Sequence, residues 1–587
     1  VVEDRQECLS YTGAMYEERL ARHRETIARL TRREHAIGLA RAAAFALIVV
    51  VAFVKWGWLV LVPVAAFIAL VIATEPLRAA RRRAEAAAAF CERGMARMRG
   101  EWQGKGDAGA DFEEEHHPFA ADLDLFGSGS LFELLSIAAT ASGRATLAAW
   151  LKHPERMSAA DVRARQAEVS KLRERVDLRE DLYVVASEVS GEIEAAQLEE
   201  WAVEEPLLDG GQALLPVLVA VFGGATVVLA VLPFFTALSR WWVVPFLVVM
   251  LVRGALARRL HERVQRVIGA VERREPALAL LAGLLGRLER EDFWRFPAGS
   301  ARIETLRRLV ALLDARRNQF FAPIAVVLMW SELLAFAIER WRRRSGREIV
   351  VWMDAVGELE ALLSLASFSF EHPSFAVPEI AEDGAVFDAV AAAHPLLAED
   401  KRVANDVRLG GELRLLIVSG SNMSGKSTML RTIGVNTVLA LAGGPVCARS
   451  LRVAPMAIGA SIRIHDSLAE GASRFYAEIL RIRQILGIEP PLLFLLDELL
   501  HGTNSHDRRI GAEAIVRGLV ERGAIGLATT HDLALAQVAE ALAPRAANVH
   551  FEDHLDGDAM AFDYTMRPGV VTKSNALALM KAVGIPV

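Results

Sequence analysis

Two short stretches carry the residue types for phosphate chemistry. Gly420-Ser421-Asn422-Met423-Ser424-Gly425-Lys426-Ser427 fits G-x-x-x-x-G-K-[ST], with Thr428 leading on into a helical pattern. Backbone N–H groups of such a loop cradle phosphates at a helix N-terminus, the lysine holds the outer phosphates, and the Ser427 hydroxyl suits Mg²⁺. The second stretch, "PLLFLLDELL", ends an apolar strand in Asp497-Glu498. Asp497 is expected to reach the metal through water and Glu498 to activate the attacking water, so one acidic pair divides metal positioning from general-base work. A third apolar run, "LATTHDLAL", delivers Thr529, Thr530 and His531. A histidine there either senses the γ-phosphate by hydrogen bonding or is structural.

These groups need strands to hold them. "LRLLIV" before the loop and "TMLRTIGVNTVLALAG" after it supply a strand and a helix, and the residues that follow alternate short apolar strands with helices, the pattern of a parallel-sheet α/β domain. Upstream, residues 258–380 read as helical, with apolar residues at three and four spacing.

The 587 residues are 53% hydrophobic, and the mean hydropathy is +0.27, high for a purely soluble chain. A net charge of −6 excludes a global basic field for nucleic acid, so any such contact must be local. Cys8, Cys91 and Cys447 lie far apart without metal-ligand spacing, which fits a reducing compartment. The charged opening does not read as a cleavable signal. Residues 36–54 and 56–73 are each near the ~20 residues a helix needs to cross hydrocarbon, separated only by Lys55. Arg32 and Arg33 before this hairpin, and Arg78, Arg81, Arg82 and Arg83 after it, place both ends in the cytoplasm. A second block, Ala213 to Val252, turns near Pro233 or Ser239-Arg240 and is followed by Arg253, Arg258 and Arg259. Buried soluble hairpins are the alternative for both blocks. "FAPIAVVLMWSELLAFAIERW", 321–341, carries Ser331 and Glu332 at its centre and is expected to be one soluble core helix.

At these motifs the chain resembles the MutS mismatch-repair ATPases. The family loop G-P-N-M-x-G-K-S stands here as "GSNMSGKS", with Ser421 for the proline, and D-E-x-x-x-G-T-x-x-x-D stands as "DELLHGTNSHD", Asp497 to Asp507. "EGASRFYAE", Glu470 to Glu478, matches the family's R-G-x-S-T-F-x-x-E, with Ser473 at the signature serine and Arg474 replacing the threonine. "YTMRPGVVTKSNALALMKAVGIP", "HPLL" at His394, "ND" at Asn405-Asp406, and the T-x-x-G-x-x-x-L pattern of "TASGRATL" extend the likeness. The resemblance implies ATP and Mg²⁺ as cofactors and composite sites in which Ser473 and Arg474 face the γ-phosphate of a partner, hence a homodimer. Nothing before the first hairpin resembles the family's mismatch reader. Phe112-Glu113-Glu114 has the nominal Phe-x-Glu order but lies in an acidic linker and reads as chance, so ordinary mismatch recognition is not expected and DNA stands open as a partner.

The expected layout is multidomain. An N-terminal cytoplasmic charged helix over 1–35, a transmembrane hairpin over 36–74, and a helix with Gly-rich linker over 75–111 come first. The first part of a mostly α-helical MutS-like core over 112–206, a second transmembrane hairpin over 207–257, and the second part of the core over 258–380 follow. A C-terminal α/β P-loop ATPase domain of ABC/MutS type occupies 381–587. The reading is a multi-pass inner-membrane protein that hydrolyses ATP on its cytoplasmic side; an ABC-like ATPase driving transport and a nucleotide-switched membrane scaffold are the alternatives.

Overall fold

Apolar residues at helical spacing dominate the chain as far as Glu371, and they fold as long helices; two mixed sheets follow. The computed structural model describes residues 2–54, 57–188, 195–208, 214–234, 240–421, 423–463, 474–500, 505–531, 533–556 and 559–571.

The charged opening and the first apolar run are one helix, Val2–Phe53, and the second run continues without a break through Leu61–Met98. The two lie antiparallel, as the pairs Arg78–Glu34 at 2.8 Å and Arg24–Glu92 at 2.9 Å require. Their apolar halves present Leu39, Phe53, Trp58 and Ile72 outward. Among the described residues, three helices are long and apolar enough to cross a membrane: Tyr11–Phe53, Gly57–Met98 and Leu214–Val231. The second leg of the 213–252 block differs from the first. It opens the helix Val243–Arg273, whose uncharged stretch ends at Arg253.

The expected single helix over 321–341 is broken. A short helix, Ala322–Val327, stops at Leu328, Met329 takes a left-handed conformation at φ 52°, and a new helix runs from Trp330 to Glu371. Periodicity cannot reveal this break, because the apolar run continues across it. The segment is not a core helix throughout, since Phe320, Ile324 and Val326 are exposed.

Trp330–Glu371, 42 residues long, is the spine of the helical part. Glu360 on it accepts from the backbone N–H groups of Ala139 and Thr140, both at 3.2 Å, and from the Thr140 hydroxyl at 2.5 Å. Thr140 in turn caps Ala141–Lys152, accepting from Gly143 N at 3.0 Å. A Cβ on Gly143 would lie 2.2 Å from Glu360 Oε2, so the Thr-x-x-Gly pattern has a direct steric reason. At the far end, Glu371 is fully buried and takes Arg97 at 2.5 and 2.6 Å, the Tyr16 hydroxyl at 3.1 Å and the Ser367 hydroxyl at 3.1 Å. Burial and the Glu371 carboxylate push the Tyr16 phenol above its usual range. This knot ties both helices of the first hairpin to the spine.

The smaller sheet has the order β1-β5-β2-β3, from Glu379–Ile380 (β1), Phe387–Ala392 (β2), Asn405–Leu409 (β3) and Ser450–Val453 (β5). The larger has the order β10-β9-β4-β8-β7-β6, from Leu415–Ser419 (β4), Ala457–Ser461 (β6), Leu492–Leu496 (β7), Ile525–Thr530 (β8), Ala546–Asp556 (β9) and Ala559–Pro568 (β10). All its pairings are parallel except β9–β10. Every residue of β4, β7 and β8 is buried, as expected where helices cover both faces of a parallel sheet. The edge at β6 is closed from the core side: Ala460 N donates to Pro118 O at 2.9 Å, and Asp122 accepts from Ile462 N and Arg463 N, both at 2.7 Å.

Candidate nucleotide site

β4 lies between β9 and β8, both later in sequence, so the crevice past its C-terminal end is where open α/β sheets take ligands. Gly420, Ser421 and Met423 to Gly425 lie in that crevice, and Lys426 begins the helix Lys426–Leu441. Gly425 has φ 102°, and a Cβ there would meet the Tyr564 ring at 3.0 Å, so the position needs glycine twice over.

Lys426 is buried, and its Nζ donates to Gly420 O at 2.9 Å and Ser421 O at 2.8 Å. Burial holds its ammonium below the usual lysine range, against the pull of Glu498 and Asp497. Among the described residues, the buried Ser421 and Ser424 hydroxyl oxygens have no hydrogen-bond partner.

β7 brings the acids. Ser427 Oγ donates to Asp497 Oδ2 at 2.5 Å, and the Thr529 hydroxyl at the end of β8 donates to Asp497 Oδ1. Thr529 Oγ1 also accepts from Glu498 N at 3.0 Å. Glu498 is left-handed at φ 44°, and so is Leu500 at φ 57°, whose N–H is held by the buried Glu478 at 2.5 Å. His531 Nδ1 lies 3.7 Å from Glu498 Oε1.

The fold thus gathers Gly420, Ser421, Ser424, Gly425, Lys426, Ser427, Asp497, Glu498 and His531 around one crevice. Met423 is 83% exposed and left-handed at the loop's tip, and Thr428 faces outward on the first helical turn. Asn422 and Ser473 lie outside the described residues, as does the side chain of Arg474, which opens the helix Arg474–Leu486. Three further residues belong to the site. Thr529 bridges Asp497 and Glu498; its position at the end of an apolar run was the available signal. Glu478 anchors the loop after Glu498. Tyr564, at φ 53° and 42% exposed, sets an aromatic ring beside the loop and is held by Asn405, whose Nδ2 donates to Tyr564 O at 3.0 Å and whose Oδ1 accepts from Met566 N at 2.6 Å.

Residues 416–587, which hold this whole arrangement apart from the Asn405 brace, match the family described as MutS domain V. Over its C-terminal part the chain is similar to the MutS family. It is 33% identical over 241 residues to the "DNA mismatch repair protein MutS 2" of Halobacterium salinarum, across 40% of this chain and 27% of that protein. The chain therefore spans little more than a quarter of that relative's length. In this MutS domain V, the lysine held by two loop carbonyls and the two serine hydroxyls left without a partner among the described residues fit an anionic phosphate chain. Ser427 and Asp497 form the hard-oxygen pair suited to Mg²⁺.

Proposed function

We propose that the chain is a membrane-anchored, Mg²⁺-dependent MutS-type ATPase, working as a homodimer with its nucleotide sites in the cytoplasm. The observation that carries the reading is the hydrogen-bonded line Ser427–Asp497–Thr529–Glu498, which fixes an oxygen ligand pair and sets a carboxylate immediately beyond it. Bound MgATP supplies a polarised γ-phosphoryl group. Lys426 exchanges its two loop carbonyls for phosphate oxygens, Ser427 and Asp497 orient the metal side, and Glu498 takes the proton of the attacking water. His531, at 3.7 Å from Glu498, orients that carboxylate or hydrogen-bonds the phosphate. Tyr564 offers a ring face to the base. In the dimer, Ser473 and Arg474 complete the partner's site.

The outward apolar faces of the three long helices support the membrane anchor, and residues 36–74 and 207–257 are its hairpins. DNA is a candidate ligand through the family relationship, and measuring nucleic-acid binding at several salt concentrations tests it, since phosphate contacts must weaken as salt rises. The ATPase reading is tested on Glu498→Gln and Lys426→Ala in the full chain. Glu498→Gln should retain ATP binding and turn over at least ~10²-fold slower; Lys426→Ala should bind ATP more weakly. A wild-type rate in Glu498→Gln would remove Glu498 from the role of base.

A further inference from the structure

We propose that Phe320–Leu328 is a re-entrant membrane element, packed on the second apolar hairpin from the cytoplasmic side, with lipid acyl chains covering its exposed face. The proposal rests on the membrane reading above. No charged residue occurs between Arg317 and Glu332, yet Phe320 is 90% exposed, Ile324 51% and Val326 66%, while Ala325 and Met329 on the other side are buried. An apolar face of that kind on a monomer calls for a partner.

Two contacts and one buried helix face say which partner. The backbone of Leu328 lies against Gly223 of the helix Leu214–Val231, where an added Cβ would sit 2.9 Å from Leu328 O. Gly223 lies within the uncharged helix Leu214–Val231, one of those long and apolar enough to cross a membrane. Close backbone approach at a small residue is how helices pack within a bilayer. Val219, Gly223 and Thr226, spaced along one face of this helix, are its buried residues.

The second contact is Arg253, the charge that interrupts the second leg of the hairpin. Its guanidinium donates to Val326 O at 2.8 Å and Val327 O at 3.1 Å. A cation within an apolar span needs acceptors, and carbonyls at a helix C-terminus in hydrocarbon need donors; here each satisfies the other. Where the segment leaves and rejoins the helical core, the side chains are those of a membrane interface. Arg316 and Arg317 pair with Glu272 at 3.0 and 3.2 Å, and the Trp330 indole donates to Leu312 O at 2.8 Å with its ring edge-on to Phe321 at 5.5 Å.

The test places a spin label on single cysteines at Ile324 and Val326 in the full chain reconstituted into liposomes. Cys91 and Cys447 are buried, so only Cys8 is replaced. Collision with oxygen, which partitions into lipid, is compared with collision with a water-soluble nickel chelate. Labels at Ile324 and Val326 should match a label at Val221, exposed on the Leu214–Val231 helix, and differ from one at Val377, exposed near the sheets. Chelate access at Ile324 with lipid access at Val221 would overturn the proposal while keeping the anchor. Chelate access at both Val221 and Val71 would overturn the membrane reading itself. Protection of Ile324 from both reagents would mean that protein, not lipid, covers the face, and would also overturn the proposal. As a second readout, Arg253→Ala should lower the melting temperature of the detergent-solubilised chain, Arg253→Lys should restore part of the loss, and Arg258→Ala should leave it unchanged.

Discussion

Thr529 shows how much a single side chain decides in this site. Its hydroxyl donates to Asp497 and accepts from the N–H of Glu498, so Thr529→Val removes both bonds while conserving volume. Turnover should fall by about tenfold or more with ATP affinity little changed, because removing an interaction that positions reacting groups acts mainly on the chemical step; equal losses in binding and turnover would mean a collapsed loop instead. Histidines pushed down by burial, His372 as well as His117 and His394, set an acid limit on stability. Burial pushes His117 and His394 from 6.5 down to about 4, and each is held as a neutral acceptor, His117 Nδ1 from Ala120 N at 3.1 Å and His394 Nδ1 from Leu396 N at 3.3 Å. Below about 6.5 the unfolded chain binds these protons and the folded chain does not, so their contribution is complete above 6.5 and is lost as pH falls toward 4. Melting temperature should drop over that window, and the double variant His117→Asn/His394→Asn, which keeps acceptors that do not titrate, should flatten the drop. At this scale the site was legible wherever its residues are neighbours in sequence. Tyr564 and Asn405 were not, because their contact joins positions 159 apart and neither residue type announces it.

Elements extend the same lesson. The Thr140–Gly143 cap was visible as a pattern, but its cause, Glu360, lies on another helix 220 positions away. Gly143→Ala should destabilise the chain by ~1–3 kcal/mol through overpacking against Glu360, and Gly224→Ala, where an added Cβ meets nothing within 4 Å, should be close to neutral; thermal melts of both variants decide it. The strands β4, β7 and β8 could be read from sequence because complete burial makes each an unbroken apolar run. The break at Leu328–Met329 could not, since the apolar run continues across it unchanged. Breaking the Glu371 knot tests how the hairpin is fastened. Arg97→Met leaves a buried carboxylate without its cation and should cost ~3–5 kcal/mol, the range for removing one partner of a buried pair. Pairing it with Glu371→Leu should recover much of that loss.

For the whole molecule, the proposed topology puts Trp58, 73% exposed at the turn of the first hairpin, on the outer side and the exposed Gly104 on the inner side. A membrane-impermeant thiol reagent applied to intact cells should modify a cysteine at Trp58 and spare one at Gly104; the reverse pattern would invert the orientation. Charge flanking the hairpins carried that expectation, whereas the path of the chain between them depends on contacts no local pattern contains. A helix of 42 residues is about 60 Å long at ~1.5 Å per residue. Under the proposed anchor the first turn of the Trp330–Glu371 rod would lie beside lipid while its last turn is fastened to Arg97 and Tyr16, so the rod would hold the nucleotide loop at a set height above the bilayer. Two chains so anchored in one membrane would carry their loops at equal height and meet by sliding in a plane instead of tumbling through a volume. Confinement of that kind raises the local concentration of each for the other. Pairing would follow the number of copies per area of lipid, so spreading a fixed amount of protein over more liposomes should slow turnover per chain even when its bulk concentration stays the same.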